Sequence, residues 1–250
     1  MTKNMSNNPV EKIKPYGDSS KSKKEEVAQM FDNISGNYDR LNRMISFGAD
    51  LKWRKKVLKM VTDANSKNIL DIATGTGDLA ILFAQTKAER IVGLDISEGM
   101  LNVGREKIKN LNLDSRIEMI VGDSENLPFA DESFDMVTVS FGIRNFENLQ
   151  KGLREILRVL SKNGQLIVLE TSVPDKFPFK QGYKFHSRVI LPFLGKMFSK
   201  DKRAYSYLSE SASAFPYGQK LCDIFDAVGF SKSAFSKQTM GVATIYQVMK

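Results

Sequence analysis

Asp71-Ile72-Ala73-Thr74-Gly75-Thr76-Gly77-Asp78 is the stretch whose reading decides the fold. An apolar run, Asn68-Ile69-Leu70, leads into it as a buried strand, and Leu79-Ala80-Ile81-Leu82-Phe83-Ala84 follows as a helix. A second strand, Arg90-Ile91-Val92-Gly93-Leu94, then ends on an acid, Asp95. Strand, glycine turn, helix, strand and terminal acid make up the nucleoside-binding half of a doubly wound α/β fold. Gly75 and Gly77 let the backbone turn tightly and approach a ligand with no side chain in the way. Asp95 is placed to accept hydrogen bonds from both hydroxyls of a ribose.

Gly75-Thr76-Gly77-Asp78-Leu79-Ala80 also fits the dinucleotide pattern, with Ala80 in the last glycine slot. In such a site a pyrophosphate rests on the free N–H groups at the helix N-terminus. Asp78 puts a negative charge there, which suits the helix dipole and repels phosphate. S-adenosylmethionine (SAM) has no phosphate and carries an ammonium and a sulfonium, so the reading favours SAM over NAD. The plainer reading of Asp78 is a helix N-cap, and the two can hold at the same time.

At 250 residues the chain suits one α/β domain with an added lid. The single cysteine, Cys222, lies among Leu221, Ile224 and Phe225 and reads as a small buried hydrophobe. It excludes an internal disulfide and a cysteine-based cluster, and the single histidine, His186, excludes a histidine-rich site; no metal is expected. Neither a membrane-spanning run nor a signal-peptide core is present, which points to a cytoplasmic protein. Much of the net charge of +8 comes from Lys3, Lys12, Lys14, Lys21, Lys23 and Lys24. Residues 1–25 are therefore expected to be a disordered basic tail, either a solubilising arm or one that meets anionic lipid headgroups.

Residues 26–250 form a single domain on this reading, opening with a helical cap over 26–64. Strands are expected near 68–72, 90–95, 116–121, 134–140 and 165–171. The helices between them fall near 78–86, 98–111 and 146–161, the last stopped by Asn163-Gly164. A helix near 216–228 and a hairpin, 230–238 with 242–248, complete a mostly parallel seven-stranded sheet with helices on both faces. Residues 172–214 break the rhythm. Their aromatics, among them Phe177, Phe179, Tyr183, Phe185, Phe193 and Phe198, are interleaved with Lys and Arg and mark an inserted lid.

Ligands of open α/β sheets bind beyond the carboxyl ends of the strands. Asp71, Asp95 and Asp123 stand at or just after three such ends and suit a cationic nucleoside, with Asp123 placed for an adenine amino group. Ser140-Phe141-Gly142-Ile143-Arg144-Asn145, after the fourth strand, lies where a methyl acceptor belongs. Enzymes that methylate base amino groups carry there an Asn or Asp, two prolines and an aromatic. This chain has no such run, so nucleic acid is not expected as a partner. From spacing alone Arg144 is either a fixed cation at the reaction centre or half of a salt bridge to a surface carboxylate.

Taken together these residues resemble the C-methyltransferases of demethylmenaquinone and ubiquinone biosynthesis. The marks are Phe31-Asp32-Asn33-Ile34-Ser35 with Tyr38-Asp39 and Asn42; Trp53-Arg54; Asp71–Asp78; Gly93-Leu94-Asp95; Ser140–Asn145; and Tyr205-Ser206-Tyr207-Leu208 with Ser211 and Phe215-Pro216. The resemblance runs from about Val27 to the C-terminus, leaving the first 25 residues as an unshared extension. It implies a Rossmann-like class I methyltransferase fold and SAM-dependent methylation of a ring carbon on a prenylated quinol. The menaquinone type is the nearer, and the ubiquinone type stays open. Thr74, Asp95, Asp123, Ser124 and Ser140 match the family's SAM contacts, alongside Gly75 and Gly77 of the turn.

On that implied reaction Arg144 would stabilise an oxyanion on the ring, Asn145 would hydrogen-bond the ring, and Tyr38 would orient it or relay a proton. His186 is either the base or a packing residue of the lid. Phe177–Phe198, with Lys176, Lys180, Lys184, Arg188 and Lys196 interleaved, either lies in a membrane interface or packs on its own domain or a homodimer partner. A SAM-dependent enzyme acting on another phenolic or soluble metabolite is the alternative.

Overall fold

The computed structural model describes residues 9–190 and 201–250. Seven strands carry the domain: β1 Asn68–Ile72, β2 Arg90–Asp95, β3 Ile117–Val121, β4 Phe134–Ser140, β5 Leu160–Thr171, β6 Lys232–Gln238 and β7 Ala243–Met249. Their order across the sheet is β3-β2-β1-β4-β5-β7-β6. The first five are parallel, and β7 runs antiparallel to both β5 and β6. Chain direction across the sheet reverses between β1 and β4, which opens a crevice beyond their carboxyl ends.

Both faces of the sheet are covered, so the central strands are apolar at nearly every position. Leu70, Ile72, Val137 and Val139 pack on one face against α6 (Leu149–Val159) and the helix Gln219–Val228 near the C-terminus. Ile69, Ile91, Met136 and Ile167 face the other way, onto α3 (Ala49–Asp63), α4 (Asp78–Phe83) and α5 (Glu98–Asn110). The expected strands and hairpin are found. The expected stop of the fourth-strand helix is not. α6 ends at Val159 and the chain passes straight into β5, while Asn163 takes a left-handed φ of 64° inside that strand. Pairing there jumps from Phe134–Leu160 to Met136–Gln165, so Asn163-Gly164 forms a bulge and does not cap the helix.

Three cap elements precede the sheet: α1 (Lys23–Ile34), α2 (Tyr38–Ile45) and α3. Ser22 and Glu25 close a capping box that fixes the start of α1. The lid contributes α7 (Phe179–Phe185), a π-helical turn His186–Ile190, and α8 (Lys202–Ala214); Gln219–Val228 is α9. Met30, Phe31 and Leu41 of the cap pack with Tyr205 and Tyr207 of α8 in a third core, so cap and lid form one roof over the sheet's carboxyl edge.

The basic N-terminal segment departs from the expected disorder: from Pro9 onward it is folded against the domain. Val10 is buried, and the Glu26 carboxylate accepts the backbone N–H groups of Gly17 and Asp18 at 2.9 and 2.8 Å. Lys23 is buried too, its Nζ donating to the carbonyls of Val10, Arg144 and Phe146 at 2.9, 3.1 and 3.1 Å. Composition reads these lysines as solvated; two of the three carbonyls that capture Lys23 come from far along the chain. Phe193, Lys196 and Phe198, read as part of the lid surface, lie outside the described residues, as does the side chain of Arg188.

Candidate active site

The glycine turn owes its shape to three left-handed residues, Ala73, Gly75 and Gly77, with φ of 53°, 59° and 76°. Asp95 ties the turn down. Its Oδ2 accepts the Gly75 N–H at 2.8 Å and its Oδ1 accepts the Ser97 N–H at 2.9 Å. Each carboxylate oxygen keeps a lone pair for a further donor. Burial raises the pKa of Asp95 despite these bonds.

A cleft of about 70 Å³ opens beside this turn, lined by Gly75, Asp95, Asp123, Ser124, Ser140 and Asn145 with Phe31 and Tyr38 from the cap above. Ser140 Oγ is buried there without a partner. Asp123 is held by the Glu125 N–H at 2.8 Å and by Lys24 Nζ of α1 at 3.0 Å. Five of the residues assigned to a cofactor from sequence (Gly75, Asp95, Asp123, Ser124 and Ser140) thus share one wall.

Thr74 and Gly77 lie off that wall. Thr74 Oγ1 donates to Asp71 Oδ2 at 2.6 Å, and the Gly77 N–H bonds the Thr74 carbonyl at 3.0 Å, so both shape the turn from beneath. Asp71 is likewise structural. It is buried under the turn, takes Thr138 Oγ1 at 2.6 Å on its other oxygen, and burial pushes its carboxyl up to about 6 against the pull of the two hydroxyls. Asp78 also sits outside the cleft, and as the first residue of α4 it follows the N-cap, Gly77, and does not itself cap the helix. It pairs with Arg43 and Lys107, which with Arg54 hold its carboxyl low despite burial. Its charge is thus neutralised locally, and of the acids singled out from the sequence Asp95 and Asp123 line the cleft.

A second cavity, about 150 Å³, lies under the roof and has mainly apolar walls, including Trp53, Phe141, Tyr183 and His186. Tyr38 and Phe141 line both spaces and stand at their junction. The Tyr38 hydroxyl bonds Asn42, and burial holds its pKa up. Arg144 lines the second cavity from the short 3-10 turn Ile143–Asn145 after β4. Arg144 does form a salt bridge, but to a buried carboxylate and not a surface one: its Nη1 donates to Glu170 Oε1 at the end of β5 and to the Phe141 carbonyl, each at 2.7 Å. Burial opposes the charge of Arg144, but Glu170, with Tyr38 and Tyr207, outweighs it and raises the pKa. Arg144 Nε and Glu170 Oε2 have no partner.

Asn145 is on the other side from its expected place. It lines the cleft rather than the second cavity, and its Oδ1 accepts the Tyr207 hydroxyl at 3.0 Å. Glu170, Lys23 and Lys24 are site residues that the sequence reading passed over. An acid closing the apolar run of β5 was the available signal for Glu170, the same signal that marks Asp95.

Similarity to known proteins agrees with this arrangement. Among solved structures, a SAM-dependent methyltransferase from Thermotoga maritima, described as a possible histamine N-methyltransferase, superposes with a TM-score of 0.62 at 20% identity, over 89% of this chain and 99% of its own. The [4+2]-cyclase SpnF superposes at 0.57 with 16% identity, over 90% and 95%. The fold is that of the class I methyltransferases, and SpnF's description as a cyclase shows that the fold alone does not fix the reaction. The model of the ubiE/COQ5 methyltransferase family matches residues 19–250. The demethylmenaquinone methyltransferase of Bacteroides fragilis is 48% identical over 245 residues, 98% of this chain and 100% of its own. That of Porphyromonas gingivalis is 43% identical, over 96% and 98%. The ubiquinone/menaquinone biosynthesis C-methyltransferase of Geobacter sulfurreducens is 41% identical, over 90% and 88%. The chain belongs to the ubiE/COQ5 methyltransferase family. The Bacteroides alignment reaches into the first 25 residues, so the basic segment is no unshared extension.

Proposed function

We propose that this protein moves a methyl group from SAM to a ring carbon of a prenylated quinol of the demethylmenaquinol type, in the synthesis of a respiratory quinone. The observation that carries the reading is the pair of spaces meeting at Tyr38 and Phe141, one edged by acids and the other apolar with a buried cation. The cleft fits SAM by its chemistry. Asp95 and Asp123 offer acceptors for ribose hydroxyls and an adenine amine, Ser140 Oγ is an unused polar atom, and Gly75 leaves the backbone bare.

When bound, SAM supplies a methyl already activated by its sulfonium. The chain's task is then to hold the ring carbon in line and to stabilise charge. The aromatic walls Trp53 and Phe141 hold a planar ring, Tyr38 orients it at the junction, and the fixed guanidinium of Arg144 stabilises the oxygen as a quinol hydroxyl loses its proton. Asn145, anchored by Tyr207, sets the cofactor side of the junction.

The prenyl tail calls for an apolar exit. Phe47 is 78% exposed and touches His186 at a ring-centroid distance of 5.8 Å, while Phe177, Phe179, Phe185 and Val189 are exposed along the lid with Lys176, Lys180 and Lys184 between them. Such a surface suits peripheral contact with an anionic membrane from the cytoplasmic side. Among the described residues no helix is long and apolar enough to cross a membrane, and no group of three metal-ligating side chains occurs.

Incubation with labelled SAM and short-chain demethylmenaquinol, against ubiquinone-type quinols and soluble phenols, tests the substrate. Label in the demethylmenaquinol ring is expected; transfer only to soluble phenols overturns the reading. Calorimetry with SAM and NADH tests the cleft, where binding of NADH alone would overturn the donor. Sedimentation with anionic vesicles tests the surface, and a lack of lipid-dependent binding removes the membrane contact.

A further inference from the structure

His186 is the only histidine of the chain and it lines the second cavity. One ring nitrogen lies toward the backbone carbonyl of Ile45, and since a carbonyl only accepts, that contact favours the hydrogen on this nitrogen. The other, Nε2, is the acceptor of the neutral ring. It is buried and has no hydrogen-bond partner.

The remaining ionisable groups on the cavity wall are poor proton acceptors. Arg54 of α3 and Arg144 of the 3-10 turn are guanidiniums with no lone pair to offer. The Asp50 carboxylate of α3 is taken up by Arg43 and by Ser46 Oγ, the latter at 2.7 Å. Tyr38 of α2 and Tyr183 of α7 hold their protons, because burial raises both. Among the described residues that leaves one nitrogen able to take a proton inside a space walled by two cations.

We propose that His186 is the catalytic base that removes the hydroxyl proton of the quinol; this rests on the quinol reading above. The O–H bond breaks, the proton goes to Nε2, and the electron pair stays on oxygen beside the guanidinium of Arg144. Those electrons feed into the ring, whose adjacent carbon forms its bond to the methyl group as the sulfur–methyl bond breaks and sulfur keeps that pair. The ring carbon then loses its hydrogen as a proton to solvent, the aromatic ring is restored, and the oxygen recovers a proton from His186. Charge and atoms balance with one proton released and no redox partner. Burial lowers the His186 pKa, which keeps the ring neutral and ready at pH 7.

A single histidine makes the test direct. The Cε1–H proton resonance of His186 is unambiguous, and its titration in the free full-length protein gives the pKa without any turnover. The acid limb of kcat/KM for short-chain demethylmenaquinol is expected to follow one ionisation at that same pKa. His186→Gln is expected to lower kcat by about 10²–10⁴-fold and abolish the limb, with SAM affinity by calorimetry unchanged. Added imidazole is expected to restore part of the rate in His186→Ala. An acid limb that departs from the measured pKa overturns the proposal, as does a limb that survives in His186→Gln. If the variants do not fold, the wild-type comparison decides alone. Failure to methylate any quinol defeats the substrate reading instead, and the same comparison is then made on whichever phenol is methylated.

Discussion

The Arg144 guanidinium and the Glu170 carboxylate face each other across neighbouring strand ends, joined at 2.7 Å, with side chains only 7% and 1% exposed. Glu170 also accepts the Thr171 N–H at 2.7 Å, so its position is set from the backbone of β5 as well. A buried pair of this kind adds little net stability but is costly to break, because the survivor stays charged and buried. Glu170→Gln keeps shape and removes the charge. It should destabilise the fold by about 3 kcal/mol and lower kcat by about 10-fold or more through a displaced Arg144, while SAM affinity holds within threefold. Denaturant unfolding, calorimetry and steady-state rates check the three parts; an unchanged kcat would show that Arg144 needs no partner to do its work.

Lys23 joins three carbonyls that sequence cannot bring together: one from the N-terminal segment and two from the turn that carries Arg144. Lys23→Met retains the apolar stem and leaves those carbonyls with no donor. The expected loss is about 3 kcal/mol, at roughly 1 kcal/mol per abandoned acceptor, and kcat should fall more than SAM affinity because the turn is loosened. Equal stability of the variant in urea would mean that water replaces the ammonium and that the segment before α1 does not brace the site.

The strands and the cofactor turn were legible because their signals are local: alternation of apolar runs, glycines at left-handed positions, acids at strand ends. Asp95 and Asp123, which line the cleft, carry such signals. Asp71, at a strand end, and Asp78, at a helix start, are acids of the same turn and do a different job, because Thr74 and Thr138 enclose one while Arg43 and Lys107 neutralise the other. Partners separated by dozens of residues decide such roles, and spacing along the chain is blind to them. Asn163-Gly164 misled for a related reason. Its left-handed preference was read correctly, but whether such a pair ends a helix or kinks a strand depends on what β4 offers opposite.

Asp71 gives the fold a pH signature. Its native pKa, about 6 against 3.8 unfolded, means that the native state binds the proton more tightly. That contribution is fully present below the unfolded value and is lost as pH rises through the native one. About 2 units correspond to about 3 kcal/mol. Asp71→Asn stays neutral, and its amide can still meet both threonine hydroxyls. Its stability relative to wild type should therefore rise by about 3 kcal/mol between pH ~3.5 and ~7. Asp95, with its pKa shifted the same way, is common to both proteins and cancels apart from its repulsion with Asp71, which belongs to the Asp71 effect. Urea unfolding of the pair across this range is the check, and a difference independent of pH would show that Asp71 is ionised in both states alike.

Ala73 and Gly142 meet where the cofactor turn touches the loop that follows β4. A Cβ built on Gly142 would stand 2.3 Å from the Ala73 Cβ, well inside contact, although the Gly142 φ of −112° is open to any residue. Gly142→Ala should therefore force the two loops apart at a cost of about 1–3 kcal/mol, and weaken SAM binding by displacing Gly75. Ala73 already holds a left-handed φ of 53°, a conformation that glycine adopts without strain. Ala73→Gly removes both that strain and the colliding methyl, offset by the greater freedom of glycine in the unfolded chain, and should be near neutral alone. Combined with Gly142→Ala it should restore most of the lost stability and affinity, giving a coupling of about 1–3 kcal/mol in the double-mutant cycle. Simple additivity would mean that Gly142 is required for some reason other than its approach to Ala73.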